Sequence, residues 1–284
     1  MSQPTTPTPP PAEKVKPPPP FIITQPQGNR AYLKALIYGP WGAGKTTFAS
    51  TAIDVAPMGR VLFIDAESGD MSLNGLDLDV IRINKFSQLA RVYEFLRLHC
   101  RARDTEDTEK LKQLQERFRG PVKPNEKPVI YNTVVVDSLS EVQKYIMYQL
   151  LSIDIEHTTL DNAVDTPEFK EWGQSAEMVR LLVRSFRDLP MHVIFVCPEQ
   201  EAEDNGRIVR RPSLPGKLAG EVQGFVDIVG YLRANTTEDG VVRRLYLRNG
   251  PTFAAKHRFR GVDVAYLDSP TMKSLLDLKS QAQS

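Results

Sequence analysis

Cysteine, uninterrupted apolar runs and net charge are all scarce in this chain of 284 residues. Its two cysteines, Cys100 and Cys197, lie in separate apolar segments, which predicts reduced core thiols rather than a disulfide or a metal pair. No apolar run approaches the roughly 18 residues of a membrane span. The opening residues Met1–Pro4 show no basic and apolar leader. We therefore expect a cytoplasmic protein with no membrane partner. A net charge of +1 means that any nucleic-acid-binding surface must be local.

What the chain does contain is a glycine-rich loop that matches the pattern GxxxxGK[ST]. The loop consists of Gly39, Pro40, Trp41, Gly42, Ala43, Gly44, Lys45, Thr46 and Thr47. The apolar run Tyr32–Tyr38 predicts a buried strand before it, and Thr47–Ile53 predicts a helix after it. Glycines let backbone N–H groups close around a polyphosphate, and a helix start adds free N–H donors. Lys45 is predicted to reach the β and γ phosphates, and the Thr46 hydroxyl to bind Mg²⁺. The sequence therefore predicts that ATP and Mg²⁺ bind here.

Hydrolysis of a triphosphate also needs an acid that holds the metal and a base for the attacking water. Asp65 and Asp137 compete for the metal, because each ends an apolar strand. We favour Asp137 for a water-bridged contact with Mg²⁺, since its strand is the more fully apolar; the alternative is a cap on the next helix. Glu67, two residues after Asp65, is the candidate general base, and the alternative is an exposed loop glutamate.

The order of elements predicts the fold. Strands alternate with helices to about residue 200 and are followed by paired strands, which predicts an α/β fold with a twisted, mostly parallel sheet and an antiparallel C-terminal extension. We expect one domain at 29–284, with a charged helical excursion at 101–128. Residues 1–28 are rich in proline and predict a disordered tail, either a tether for a protein partner or a solubilising leader.

Three stretches resemble the core motifs of RecA-like and Rad-type recombinases, namely Gly39–Thr47, Phe63–Glu67 and Val134–Ser138. The resemblance implies a RecA-like P-loop core in which Glu67 is the hydrolytic residue. The stretch Lys256–Phe259 resembles the K-x-R element of hexameric helicases, whose lysine and arginine reach the γ phosphate bound by the neighbouring subunit. It implies that Lys256 and Arg258 complete the site of an adjoining copy in a homo-oligomer, either a ring or a filament.

The whole pattern, over about residues 31–265, is most similar to small phage RecA-core ATPases, which include nucleotide-binding proteins and single-strand annealing recombinases. In RecA-like proteins two loops face the DNA, and here they correspond to Ser152–Asp165 and Glu199–Lys217. The second loop carries four cations that we predict to contact single-stranded DNA. They are Arg207, Arg210, Arg211 and Lys217. The loop lacks aromatic residues for stacking on bases, and the alternative is a solvated, arginine-bearing turn.

The leading interpretation is an ATP-hydrolysing DNA-recombination protein that anneals or pairs single-stranded DNA in the cytoplasm, that of a host if the chain is phage-encoded. A replicative helicase or helicase partner remains an alternative. So does a nucleotide-gated protein-binding switch with little turnover. A small-molecule kinase fits the Lys256–Arg258 element poorly.

Overall fold

The computed structural model describes residues 32–119, 127–154, 157, 166–204, 206–238 and 240–282. All of these belong to one unit, Ala31–Ser284. The predicted tail at 1–28, the end of the charged excursion and most of the loop Ser152–Asp165 lie outside the described residues.

A mostly parallel sheet forms the centre of the fold. The strands are β1 (Lys34–Gly39), β2 (Arg60–Asp65), β3 (Asp79–Arg82), β4 (Tyr131–Asp137), β5 (His192–Asp204), β6 (Arg207–Pro212), β7 (Ile228–Thr237), β8 (Gly240–Tyr246), β9 (Lys256–His257) and β10 (Tyr266–Asp268). Six of them pair in parallel in the order β7-β1-β5-β4-β2-β3. β1 and most of β4 are buried, as expected of strands covered on both faces.

The antiparallel part lies at one side of this sheet and beyond its carboxyl edge. β8 pairs with β7, β10 with β8, and β9 with the start of β7. β5 extends beyond the parallel sheet, because its residues Glu199–Asp204 pair with β6 in a hairpin. The α/β fold with a parallel core and an antiparallel C-terminal extension is confirmed.

Helices cover both faces of the sheet. They are α1 (Lys45–Ser50), α2 (Phe86–Asp104), α3 (Thr108–Arg119), α4 (Leu139–Leu150), α5 (Phe169–Asp188), α6 (Leu218–Phe225) and α7 (Met272–Gln281). One apolar core lies between the sheet and α2, α4, α5 and α6, and a second lies under α1 and α7. α5 begins at Phe169, because Glu168 caps it and exchanges hydrogen bonds with Glu171.

The charged excursion is less exposed than its composition predicts. α3 buries Leu111 and Leu114, the latter in the core beneath α2. The buried Gln115 amide donates to the carbonyl of Val129 and accepts its N–H. One face of α3 is therefore packed against the rest of the domain. Among the described residues, no helix is both long and apolar enough to cross a membrane.

Candidate nucleotide-binding site

The glycine loop leaves β1 at a point where the backbone of β7 lies very close. A Cβ on Gly39 would lie 2.0 Å from the carbonyl oxygen of Leu232, so a side chain cannot fit at this position. Gly42 and Gly44 have φ angles of 76° and 88°, which glycine adopts far more readily than other residues. The loop therefore has the open backbone turn that the sequence predicts.

Lys45 folds back over this loop. Its Nζ donates to the carbonyl oxygens of Gly39 (3.1 Å) and Pro40 (2.9 Å). Burial lowers the pKa of Lys45, and the nearby carboxylates of Asp137 and Glu67 partly offset that effect. The ammonium is thus held above the loop by neutral carbonyls, and a phosphate would be a stronger acceptor because its hydrogen bonds are charge-assisted.

Thr46 and Asp137 meet at the end of β4. The Thr46 hydroxyl donates to Oδ2 of Asp137 at 2.6 Å. Asp137 is buried, and burial raises its pKa to about 6, although the bond from Thr46 lowers it. Hydroxyl and carboxylate oxygens are ligands that suit Mg²⁺, which commonly takes one or two protein ligands and fills the rest of its shell with water and phosphate oxygens. The two predicted metal residues therefore lie together and fit that ion.

Asp65 lies beside Asp137 in the sheet but has a different set of contacts. Its Oδ1 accepts the N–H groups of Glu67 (3.0 Å) and Gly69 (3.3 Å), so it shapes the turn after β2. Its buried Oδ2 has no hydrogen-bond partner among the described residues. The geometry assigns the contact with Thr46 to Asp137, and Asp65 positions the turn that carries Glu67.

Glu67 is held beside the same site. Its Oε1 accepts a hydrogen bond from the hydroxyl of Ser138, which follows Asp137 through a cis peptide bond. The turn before it is fixed, because the Tyr145 hydroxyl donates to the carbonyl of Ala66 at 2.7 Å. The residue itself is exposed. An exposed carboxylate on a fixed turn near Lys45 and Asp137 has the position that a general base for water would need.

Lys256 and Arg258 are not brought to the loop of their own chain. Lys256 pairs with Val229, which lies beside Leu36 in the first half of β1. Arg258 donates to the carbonyl of Gly224 (2.7 Å) and lies 3.4 Å from the Asp227 carboxylate, with 48% of its side chain exposed. They lie away from the edge where the loop begins. Their contact with a neighbouring copy's phosphate stays a prediction.

Three of the predicted DNA contacts, Arg207, Arg210 and Arg211, lie on the hairpin of β5 and β6, and Lys217 lies just before α6. Arg210 is paired with acids of the opposite strand, at 3.0 Å from Glu201 and 3.6 Å from Glu199. Its charge is therefore largely compensated within the hairpin. Arg207 and Lys217 are exposed, and Arg211 is half-buried on β6.

Two features of this edge have no signal in the local sequence. Arg243 of β8 reaches the glycine loop, where its Nε lies 2.5 Å from the position that a Cβ on Gly44 would occupy. At the start of α5, the side chains of Phe169 and Trp172 are exposed, at 94% and 42%. Because Arg243 and Gly44 are about 200 residues apart in the chain, no local motif predicts their contact.

A glycine loop with Lys45 above it, a hydroxyl–carboxylate pair for a metal and a glutamate alongside together define a P-loop nucleotide-binding site. The family comparison agrees: the model of the AAA domain family AAA_24 matches residues 31–259. The chain belongs to this family of P-loop ATPases.

Other comparisons add remote likenesses only. No match was found among curated proteins. Among solved structures, the flagellar accessory protein FlaH from Methanocaldococcus jannaschii is similar at 10% identity and a TM-score of 0.38, over 84% of this chain and 85% of that one. The KaiC-like protein PH0186 from Pyrococcus horikoshii OT3 is similar at 14% identity and a TM-score of 0.38, over 84% and 89% of the two chains. These values are too low to inform function.

Proposed function

We propose that this protein binds Mg²⁺ and ATP at Gly39–Thr47 and hydrolyses the ATP in a site that a neighbouring copy completes. We further propose that this ATPase acts in recombination on single-stranded DNA. The observation that supports the ATPase is the convergence of Lys45, Thr46, Asp137 and Glu67 at one edge of the sheet. These residues come from three separate strand ends, and together they supply the parts that phosphoryl transfer to water needs.

Each side chain has a distinct task in this proposal. Thr46 and Asp137 would hold Mg²⁺, which offsets charge on the phosphate oxygens. Lys45 exchanges its carbonyl acceptors for the β and γ phosphates. Glu67 accepts a proton from the attacking water, and the hydrogen bond from the Ser138 hydroxyl orients its carboxylate.

The second copy supplies positive charge. Lys256 and Arg258 are two residues apart in the chain, and burial lowers the pKa of Lys256, with a smaller contribution from the charge of Arg258. Their position away from their own loop and the half-exposed side chain of Arg258 support a contact with an adjoining chain in a ring or filament. An arginine supplied in this way raises phosphoryl-transfer rates by about 10³- to 10⁵-fold.

The test is ATP turnover measured over a range of protein concentrations, for the wild type, Glu67→Gln and the control Glu116→Gln. Glu116 is an exposed glutamate on α3. The specific rate is expected to rise with concentration, as a shared site requires. Glu67→Gln should lower the rate by about 10²- to 10⁴-fold while ATP binding persists. Equal turnover by Glu67→Gln and Glu116→Gln would refute the role of Glu67, and a concentration-independent rate would refute the shared site.

The DNA-binding part of the proposal is supported by the arginine-bearing hairpin and by exposed aromatic residues. α5 ends next to the start of β5, so its other end, about 30 Å away, is directed toward the carboxyl edge of the sheet. Phe169 and Trp172 lie at that end and are exposed. Single-strand binding proteins combine basic grooves with aromatic side chains that stack on bases.

Binding of a labelled single-stranded oligonucleotide at several salt concentrations tests this part. The double variant Arg207→Glu and Arg211→Glu should weaken binding and flatten its dependence on salt, because each lost phosphate contact removes a released counterion. Trp172→Ala should weaken binding at every salt concentration by about 1–3 kcal/mol. Arg91→Glu, an exposed site on α2, is the control. Unchanged binding by all the test variants would leave an ATPase with no role for this edge in DNA binding.

A further inference from the structure

The hairpin of β7 and β8 extends past the end of β1. β7 pairs with β1 only through Ile228–Tyr231, opposite Ala35–Tyr38, and then continues to Thr237 with β8 as its partner. β1 ends at Gly39, where the glycine loop begins. The outer part of the hairpin therefore lies alongside that loop.

Arg243 is on the face of this hairpin that is directed toward α1. Side chains alternate along a strand, so Arg243 shares a face with Leu245. Leu245 and its cross-strand partner Leu232 are both buried in the core beneath α1. Arg243 is two residues further along the hairpin on that same face. Its Nε and Cδ lie 2.5 and 3.1 Å from the position of a Cβ on Gly44, so the side chain contacts the glycine immediately before Lys45.

Arg243 differs from the neighbouring arginines of β8 and just beyond in how its charge is compensated. Arg244 binds the Asp268 carboxylate with both Nε (2.6 Å) and Nη2 (3.2 Å), and Arg248 is paired with Asp263. Arg243 is exposed, and in the part of the chain that the structure describes its guanidinium forms no ion pair or hydrogen bond. An uncompensated guanidinium therefore lies against a phosphate-binding loop.

We infer that Arg243 binds the phosphates of the nucleotide within its own chain, opposite Lys45. The inference rests on the proposed nucleotide binding and adds a residue to it. A guanidinium is planar and can donate two parallel hydrogen bonds to phosphate oxygens. The nucleotide is then held between the glycine loop and the β7–β8 hairpin, and the contact depends on phosphates rather than on the base.

Calorimetric titration of the full chain with ATP, ADP and AMP tests this contact. Arg243→Ala should weaken ATP and ADP binding by about 10- to 100-fold, the range for hydrogen bonds to a charged group. The affinity for AMP should fall by a smaller factor, because AMP offers fewer phosphate oxygens. Arg243→Lys should recover part of the loss. Arg244→Ala is the matched control from the opposite face of the same strand, and it should bind like the wild type.

Three results would overturn the inference, and they separate it from the proposed function. If Arg243→Ala binds ATP as tightly as the wild type while Lys45→Ala does not, Arg243 has no such role and the nucleotide site stands. If Arg244→Ala loses as much affinity as Arg243→Ala, the effect comes from the hairpin's folding. If the wild type binds none of the three nucleotides, both the inference and the proposed function fail. Melting temperatures of the variants, expected to equal that of the wild type at this exposed position, are measured in parallel.

Discussion

Two lysines each bind two backbone carbonyls with their ammonium groups, Lys34 as the first residue of β1 and Lys45 at the start of α1, after the loop that follows β1. The difference between them separates structure from function. At the amino end, Nζ of Lys34 donates to Leu189 (2.6 Å) and Met191 (2.5 Å) and is 4% exposed. At the carboxyl end, Lys45 binds the carbonyls of its own loop and is half-exposed. The first lysine joins two distant parts of the chain, whereas the second, among the residues that the structure describes, bonds only to carbonyls of its own loop, which a ligand can replace.

Buried polar groups at the two ends follow the same division. At the amino end, the N–H of Leu33 donates to Nδ1 of His192, and the N–H of Tyr131 donates to Nε2 of His99. Each histidine thereby fixes the start of a strand, although Nδ1 of His99 has no partner among the described residues. Burial shifts pKa values at both edges: it lowers those of His99 and His192 at the amino end, and at the carboxyl end it raises that of Asp137 and lowers that of Lys45. The two edges differ in their contacts, because the histidines accept backbone N–H groups at strand starts, whereas Asp137 accepts the Thr46 hydroxyl beside the glycine loop.

The largest expected effect is on ligand binding. Lys45→Met should weaken ATP binding at least 100-fold, because it removes a charge-assisted contact with the β and γ phosphates. Lys34→Met, assayed where it is folded, should bind ATP like the wild type. If Lys45→Met bound ATP as tightly as the wild type, the assignment of Lys45 to nucleotide binding would be wrong.

The second-largest expected effect is on the free energy of unfolding, where Lys34 is expected to matter more than Lys45. Lys34→Met removes the buried ammonium that donates to the carbonyls of Leu189 and Met191, and it should lower the free energy of unfolding by about 3 kcal/mol. Lys45→Met should leave that free energy unchanged or raise it, since it removes a cation that burial disfavours. Urea unfolding of both variants measures the difference. A larger loss of stability in Lys45→Met than in Lys34→Met would contradict the assignment of Lys34 to structure and Lys45 to function.

The smallest effect is a dependence of stability on pH. Burial lowers the pKa values of His99 and His192 to about 4, with Arg103 further lowering that of His99, and Lys279 and Lys34 that of His192. Between pH 6.5 and 4 the unfolded chain therefore binds more protons than the native chain, so the free energy of unfolding falls as the pH is lowered through this window. His192→Gln should reduce the loss between pH 7 and 5 by about 1–2 kcal/mol.

The control for this measurement is His157, which is exposed and paired with Asp154. His157→Gln should keep the pH dependence of the wild type in the same unfolding experiment. An identical pH dependence in His192→Gln and His157→Gln would show that the buried histidine does not contribute.

The parts of the site that are encoded locally could be predicted from the sequence. The glycine loop and the strand-end acids Asp137 and Glu67 follow from short motifs and from the rule that parallel strands end at a common edge. The structure brings them together with Lys45 as those rules predict. Fold class was predictable for the same reason, since the alternation of strands and helices is itself a local pattern.

The features that could not be predicted from the sequence depend on contacts between distant segments. Lys34 lies in an apolar strand, and its partners are more than 150 residues away. Arg243 reaches Gly44 only because β7 and β8 extend past β1. Arg210 was predicted to be available to DNA, yet the pairing register of β5 and β6 places Glu201 directly opposite it. Each outcome depends on strand length and register, which composition and motifs do not determine.

The central claim is that ATP is held by the loop of one copy and contacted by Lys256 and Arg258 of the next. Turnover by a mixture of Lys45→Ala and Arg258→Ala chains tests it most directly, because an intact loop and an intact arginine can then meet only across two chains. We predict that each variant alone is inactive and that the equimolar mixture recovers a substantial part of the wild-type rate. A mixture no more active than its two components would contradict the shared site.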